Sequence, residues 1–284
     1  MVAFFIILGV FLLLLALWLF LIAPGKSCGM EKFKHVKYAH RGLHGTNEDG
    51  AFAAENSLTA FERAASLGFG IELDVRVTKD REVVVFHDGT LDRVTNGTGK
   101  VCEHTLAELR KLSLMGTEDT VPTFREVLDL VDGRVPLLVE LKEEGMDHTV
   151  GELASKMLAE YKGDYIIESF SPLAFGTVRG VLPGAKCGFL VDKHTEYPHG
   201  RTFKHRLAQS FMLNVIARPA FIAINEKWPR LFPLPVIRAI FRTPVIAWTV
   251  KSEEQEAVAY KNGFDGIIFE GYIPDERLSP KAKK

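Results

Sequence analysis

The sequence predicts an α/β protein: a (β/α)₈ TIM barrel preceded by one N-terminal transmembrane helix. Three observations predict it. The chain opens on an uncharged apolar run, β-branched strands alternate with amphipathic helices beyond residue 36, and one strand follows its predecessor too closely to be parallel.

From Ala3 to Ala23 no residue is charged, and crossing a bilayer core takes roughly 20 apolar residues. A cleaved signal peptide would have a basic start, a shorter apolar run and a clean small-residue cleavage site. Here the basic start is missing, and Lys26 spoils GKSC as a lipid-attachment sequence. The run therefore reads as an uncleaved anchor over residues 1–24, with a linker over 25–35. Lys26, Lys32, Lys34 and Lys37 follow the span while only the α-amino group precedes it. By the positive-inside rule, this makes a single-pass protein of the cell membrane whose large domain faces the cytoplasm.

Residues 36–275 form the catalytic domain, and residues 276–284 a basic tail. The strand candidates are KYAH, GIELDV, VVVFHD, PLLVELK, YIIESF, CGFLVD, FIAIN, VIAWTV and DGIIF. Helix patterns lie between most of them, the pattern of repeated βα units. SLTAFERAASLG opens on Ser57 as N-cap and stops at Gly68; SEEQEAVAYKNG opens on Ser252 and stops at Gly263. Only TKDRE separates ELDVRV from VVVFHD, and a parallel crossover needs a dozen residues or more, so VVVFHD must return antiparallel. A turn centred between Asp80 and Arg81 sets His87 opposite Asp74. Eight parallel strands remain, the number in a barrel whose active site lies at the strands' C-terminal ends.

Composition narrows the function. A net charge of −1 gives no reason to expect nucleic acid. Cys28, Cys102 and Cys187 lack metal or redox spacing. Ser169 and Ser171 lack a nucleophile-elbow pattern, and His104, His148 and His205 read as ordinary surface or hydrogen-bonded side chains.

The strand ends carry His40 and Arg41, then Glu72 and Asp74, His87 and Asp88, and Glu140 with Lys142. Residues two apart share a strand face, so these groups converge. Three carboxylates at one mouth repel unless a hard cation sits between them, and oxygen-only ligation suits Mg²⁺ or Ca²⁺. Arg41 and Lys142 beside that cation suit a phosphate. Two imidazoles flanking it can serve as acid and base, and Gly42 lets the backbone turn away from the ligand.

AHRG, ENSLTAFERA, GIELDVRVTKD, VVVFHD, PLLVELK and AWTV, in this order and spacing, resemble the glycerophosphodiester phosphodiesterase family of metal-dependent barrel enzymes, over about residues 36–272. The resemblance implies His40 and His87 as general acid and base, Glu72, Asp74 and Glu140 as metal ligands, and Arg41 and Lys142 as phosphate contacts. It also implies Glu55 and Asn56 as residues that organise the substrate site and Trp248 as an aromatic wall. The implied reaction yields an alcohol and glycerol 3-phosphate at the membrane.

Three positions depart from the family pattern. Ala54 replaces a usual proline, a local backbone matter; Lys251 replaces a common asparagine, and IIFEGY a common IITDYP. The last two are expected on the rim that holds the alcohol part of the substrate. A lysophospholipase D acting on lysophospholipids is one alternative. A catalytically silent, membrane-tethered binding barrel is another, and the intact set of acids and histidines speaks against it.

GLHGTNEDG reads as a loop over the site. From Arg201 to Arg242 the chain carries eight Lys or Arg against the single acid Glu226, among many apolar residues. That mixture suits an anionic leaflet; otherwise its apolar residues simply pack the barrel wall.

Overall fold

Every strand inferred above forms, because each buries alternate side chains toward a common axis and the remainder toward helices. The computed structural model describes the chain except residues 48–49, 144, 146, 194–202 and 276–284 and the side chains of 204 and 205. The order is α1 (Val2–Ile22), β1 (Lys37–Ala39), β2 (Gly45–Thr46), β3 (Phe52–Ala53), α2 (Leu58–Ser66), β4 (Gly70–Val77), β5 (Val83–Val85), α3 (Leu106–Leu109), α4 (Phe124–Val131) and β6 (Leu137–Leu141). There follow α5 (Thr149–Glu160), β7 (Tyr165–Ser169), α6 (Ala174–Val181), β8 (Cys187–Val191), α7 (Phe203–Gln209), α8 (Asn214–Ala217), β9 (Phe221–Asn225), α9 (Leu234–Phe241), β10 (Val245–Val250), α10 (Glu253–Lys261) and β11 (Gly266–Phe269). β1, β4 and β6 to β11 pair parallel, and β1 pairs with both β4 and β11, closing the barrel.

Two layers fill the interior. Tyr38, Leu138, Ile166, Leu190, Ile246 and Ile268 form an apolar plug, sealed below by Met30 and Phe33. Two residues further along the same strands stand His40, Glu140, Glu168, Trp248 and Glu270. The period of two thus turns an apolar floor into a polar mouth. Gly188 is required by the plug: a Cβ there would sit 2.1 Å from the Phe221 ring. A second apolar layer, including Phe61, Phe124, Phe175 and Ile224, packs the strands against the helices.

The helix signals hold. The Ser57 side chain accepts from Ala60 N–H, and that of Ser252 from Gln255 N–H; each such cap contributes about 1 kcal/mol. Gly68 and Gly263 have φ of 76° and 81°, the left-handed geometry of a helix stop.

The β4–β5 hairpin is antiparallel as inferred, but its register is one residue different. Val75, Arg76 and Val77 pair with Val85, Val84 and Val83. Asp74 therefore faces Phe86, whose N–H donates to the Asp74 carbonyl at 2.9 Å, rather than His87. The turn explains the shift. Thr78 N–H donates to the Glu82 carbonyl at 2.9 Å, and Arg81 takes a φ of 65°, which makes a three-residue loop centred on Asp80. The segment read only as a loop over the site begins an antiparallel ribbon, β2 with β3; its residues 48 and 49 lie outside the described ones.

α1 does not end in a slack linker. Ile22 is fully buried and its carbonyl accepts from Asn214 Nδ2 at 2.8 Å. Gly25 N–H donates to the Pro219 carbonyl at 2.8 Å, and Ser27 Oγ donates to the Ala220 carbonyl at 2.9 Å. The chain then crosses beneath the barrel at Met30 and Phe33 and rises into β1. One expected flanking charge is thereby corrected: Lys37 is buried and its Nζ pairs with Glu256 Oε1 at 2.8 Å, because β1 carries it into the barrel wall. Lys32 pairs with Asp164 at the barrel's lower end.

Candidate active site

The mouth is assembled from residues two apart on neighbouring strands. Asp74 on β4 is in register with Glu140 on β6, which is in register with Glu168 on β7. A cleft of about 130 Å³ is lined by His40, Arg41, Glu72, His87, Glu140 and Lys142, together with Glu168, Phe170, Trp248 and others. Of the residues singled out in the sequence, His40, Arg41, Glu72, His87, Glu140, Lys142 and Trp248 line it.

Glu72, Asp74 and Glu140 are all buried, and one carboxylate oxygen from each lies within 4.8 Å of the others. Asp74 Oδ1 is buried and makes no hydrogen bond, standing 3.0 Å from Lys142 Nζ. Three converging carboxylates fit a hard divalent cation. Burial, reinforced by neighbouring carboxylates, pushes the Glu72 carboxyl well up; burial also drives Glu140 up to about 7, with Lys142 opposing. Asp74 goes the other way. Burial works against its charge, yet Lys142, His87 and Arg41 outweigh that and hold it far below the usual carboxylate range.

Arg41 adopts a left-handed backbone, φ 55°, a conformation that costs a non-glycine residue of order 1 kcal/mol or more and clusters at functional sites. It allows one residue to serve two acids: the Arg41 N–H donates to Glu72 Oε2 at 2.8 Å while its Nη1 donates to Glu55 Oε1 at 2.8 Å. Arg41 Nε is buried without a hydrogen bond, 3.6 Å from Asp74 Oδ2. Gly42 turns the chain next, at φ 78°.

Each imidazole is oriented through Nδ1. His40 Nδ1 lies 2.8 Å from Glu270 Oε2, and His87 Nδ1 lies 2.6 Å from Asp88 Oδ1. Burial lowers the pKa of both; Glu270 opposes this at His40 and Asp74 at His87. Bonding at Nδ1 leaves Nε2 of each ring for the cleft.

Glu55 and Asn56 stand behind the wall. Glu55 takes Arg41 and a bidentate Arg93, at 2.6 and 2.8 Å, while Arg93 also holds Asp88 at 2.6 Å. Asn56 Nδ2 donates to Asp74 Oδ2 at 2.9 Å and so fixes that carboxylate. Lys142 Nζ donates to Glu140 Oε1 at 2.6 Å. Trp248 meets Phe170 edge to face at 5.9 Å.

Several contributors escaped the sequence reading. Glu168 is buried, its Oε2 makes no hydrogen bond, and burial with nearby Glu140 pushes its carboxyl well up. Its signal was the alternation in YIIES, in step with Glu140. Arg93 had none. Glu270 was assigned to the outer rim but holds His40; Lys251 Nζ, 3.7 Å from Glu270 Oε1 and exposed, does sit on the rim. Ser169 Oγ donates to the Leu141 carbonyl at 3.0 Å, a packing role, and none of the three cysteines is in a disulfide.

A closed barrel thus gathers at one mouth three acids that could hold a cation, a guanidinium and two imidazoles bonded at Nδ1, the layout of an enzyme site. Residues 40–271 match the profile of the Glycerophosphoryl diester phosphodiesterase family. The chain belongs to this family and is a phosphodiesterase of it. It is 32% identical over 249 residues to the glycerophosphodiester phosphodiesterase of Caldanaerobacter subterraneus subsp. tengcongensis, spanning 83% of this chain and 93% of that one. A solved Oleispira antarctica phosphodiesterase, in complex with the product sn-glycerol 3-phosphate, superposes with a TM-score of 0.67 at 25% identity, over 84% of this chain and 94% of that one. The glycerophosphodiester phosphodiesterase of Agrobacterium tumefaciens shares the fold, with a TM-score of 0.64 at 20% identity over 83% of this chain and 96% of that one.

Proposed function

We propose that the chain hydrolyses glycerophosphodiesters to an alcohol and glycerol 3-phosphate at a membrane surface, with one divalent cation, Mg²⁺ or Ca²⁺, at Glu72, Asp74 and Glu140. The observation that carries this reading is the meeting, in one cleft, of Glu72 and Glu140, with Asp74 clustered against them, and His40 and His87, each imidazole tied to a carboxylate at Nδ1. The bound cation would offset charge on the phosphoryl oxygens. The Arg41 guanidinium would donate to a second phosphoryl oxygen, and its ion pair with Glu55 holds it in place. One imidazole takes the proton of the attacking oxygen; the other returns a proton to the departing alkoxide. Their lowered pKa values keep a basic form available near neutral pH.

α1 is apolar and long enough to cross a membrane and supports a single-pass anchor, with Lys26, Lys32 and Lys34 favouring a cytoplasmic barrel. It also favours a second reading, lysophospholipids as substrate, since these carry the same phosphodiester on a membrane-held acyl chain.

The test is hydrolysis of glycerophosphocholine and lysophosphatidylcholine by purified protein with Mg²⁺ or Ca²⁺, with and without chelator. His40→Ala and His87→Ala should each lose about 10²–10⁴-fold with unchanged circular dichroism. Full activity in chelator, or in both variants, overturns the proposal.

A further inference from the structure

α1 is pinned to the barrel along β9, and its direction there is legible. Gly25 bonds Pro219, at the foot of β9; Ile22 bonds Asn214, at the head of α8; and Trp18 stacks on Phe232, beyond the head of β9, at 5.7 Å with planes 8° apart. Followed backward from Gly25 to Trp18, the chain climbs in the direction of the strands, toward their C-terminal ends. Residues 2–17 are all exposed, and at 1.5 Å per residue they extend about 24 Å beyond the last contact. The apolar helix leaves the barrel on the side where the cleft opens.

The surface around that exit matches. Phe52, Phe170, Leu173, Phe203, Phe232 and Ile273 are large apolar residues between 40% and 77% exposed, and each follows the C-terminal end of a strand. Arg206, Lys227, Arg230 and Lys251, which also follow strand ends, are exposed. A notch at the foot of the free helix is lined by Trp18, Arg206, Gln209, Ser210, Phe232 and Pro233. The 201–242 segment thus divides: Phe211, Ile222, Ile224, Leu234 and Ile237 are buried in the wall, Arg218 and Arg242 close α8 and α9 at the barrel's foot, and Phe203, Arg206, Lys227, Arg230 and Phe232 are exposed after β8 and β9. Exposed aromatics mixed with cations, continuous with an exposed apolar helix, fit the headgroup layer of an anionic leaflet.

We propose that the barrel sits mouth-down on the leaflet that α1 enters, with Phe203, Arg206 and the segment after β9 in its headgroup layer, so that phosphodiesters held in that leaflet reach the cleft without leaving the membrane. This rests on the reading of α1 as an anchor and deepens the proposed reaction.

The test uses the full chain in vesicles of phosphatidylglycerol and phosphatidylcholine carrying headgroup nitroxides. One fluorophore is placed on Phe232→Cys in a Cys28→Ser, Cys102→Ser background. In a Cys102→Ser chain another is placed on native Cys28, which is exposed near the barrel foot. Quenching at 232 and none at 28 is expected. Quenching at 28 alone, equal quenching, or quenching at neither overturns the orientation.

In the same vesicles, combined Phe203→Ser, Phe232→Ser and Arg206→Glu should cut hydrolysis of vesicle-held lysophosphatidylglycerol by about tenfold or more and leave glycerophosphocholine hydrolysis unchanged. An equal effect on both substrates, or on neither, counts against the orientation. No hydrolysis of either substrate by the parent chain defeats the proposed reaction alone, and the quenching pattern then decides the orientation.

Discussion

His40 Nδ1 meets Glu270 Oε2 at 2.8 Å, so the end of the last barrel strand orients an imidazole at the end of the first. The two strands are neighbours because β1 pairs with β11 when the barrel closes.

Glu270→Gln should lower kcat by about tenfold to a hundredfold, part of what a positioned acid–base group supplies, with little change in KM. The Glu270 carboxylate raises the His40 pKa against the lowering by burial, so its loss should move whichever limb of the pH–rate profile His40 controls to lower pH. An unmoved limb with unchanged kcat would reduce Glu270 to packing.

Cation binding should be linked to pH. In the metal-free chain Glu140 rises to about 7 and Glu72 rises well above its usual value, burial being the first cause of each. A raised folded-state carboxyl contributes stability that is full below its unfolded value and is lost as pH climbs through about 7. A cation takes the place of those protons. The gain in Tm on adding Mg²⁺ or Ca²⁺ should therefore be larger at about pH 8 than at about pH 5; a gain independent of pH would contradict the assignment.

Lys142→Met in chelator should cost about 3–5 kcal/mol, because Asp74 and Glu140 would lose a buried partner. Added Mg²⁺ should recover part of that loss in denaturant titrations. No loss would mean that the acids are held by protons rather than by the ammonium.

Gly42→Ala should destabilise by about 1–3 kcal/mol. Its φ is 78°, and a Cβ would stand 2.9 Å from the Ala60 backbone and the Phe61 ring. Gly50→Ala, with a φ of 79° but open space around it, should cost less in the same melt and leave turnover alone.

The parts of this site that could be read from sequence are those fixed by the two-residue period. Glu72 with Asp74, Glu140 with Lys142, and the placement of His40 at a strand end follow from local spacing. Contacts made by barrel closure could not be read that way. Glu270 reaches His40 across 230 residues of chain, and Lys37, counted as a charge beside the lipid, is buried against Glu256 by the same closure. The one-residue register difference in the β4–β5 hairpin hung on the left-handed Arg81, which no side-chain pattern announces. Arg93 was invisible because it comes from an excursion outside the βα repeat.

That excursion has a core of its own: Val84, Phe86, Leu91, Val94, Val101, Leu109, Leu114 and Val121 cluster apart from the main barrel layers. His87, Asp88 and Arg93 ride on it, whereas His40 and the acids ride on the strands. The two imidazoles therefore ride on apolar clusters with separate cohesion. On warming, the smaller cluster should loosen first, so that turnover is expected to fade while the barrel still holds its shape.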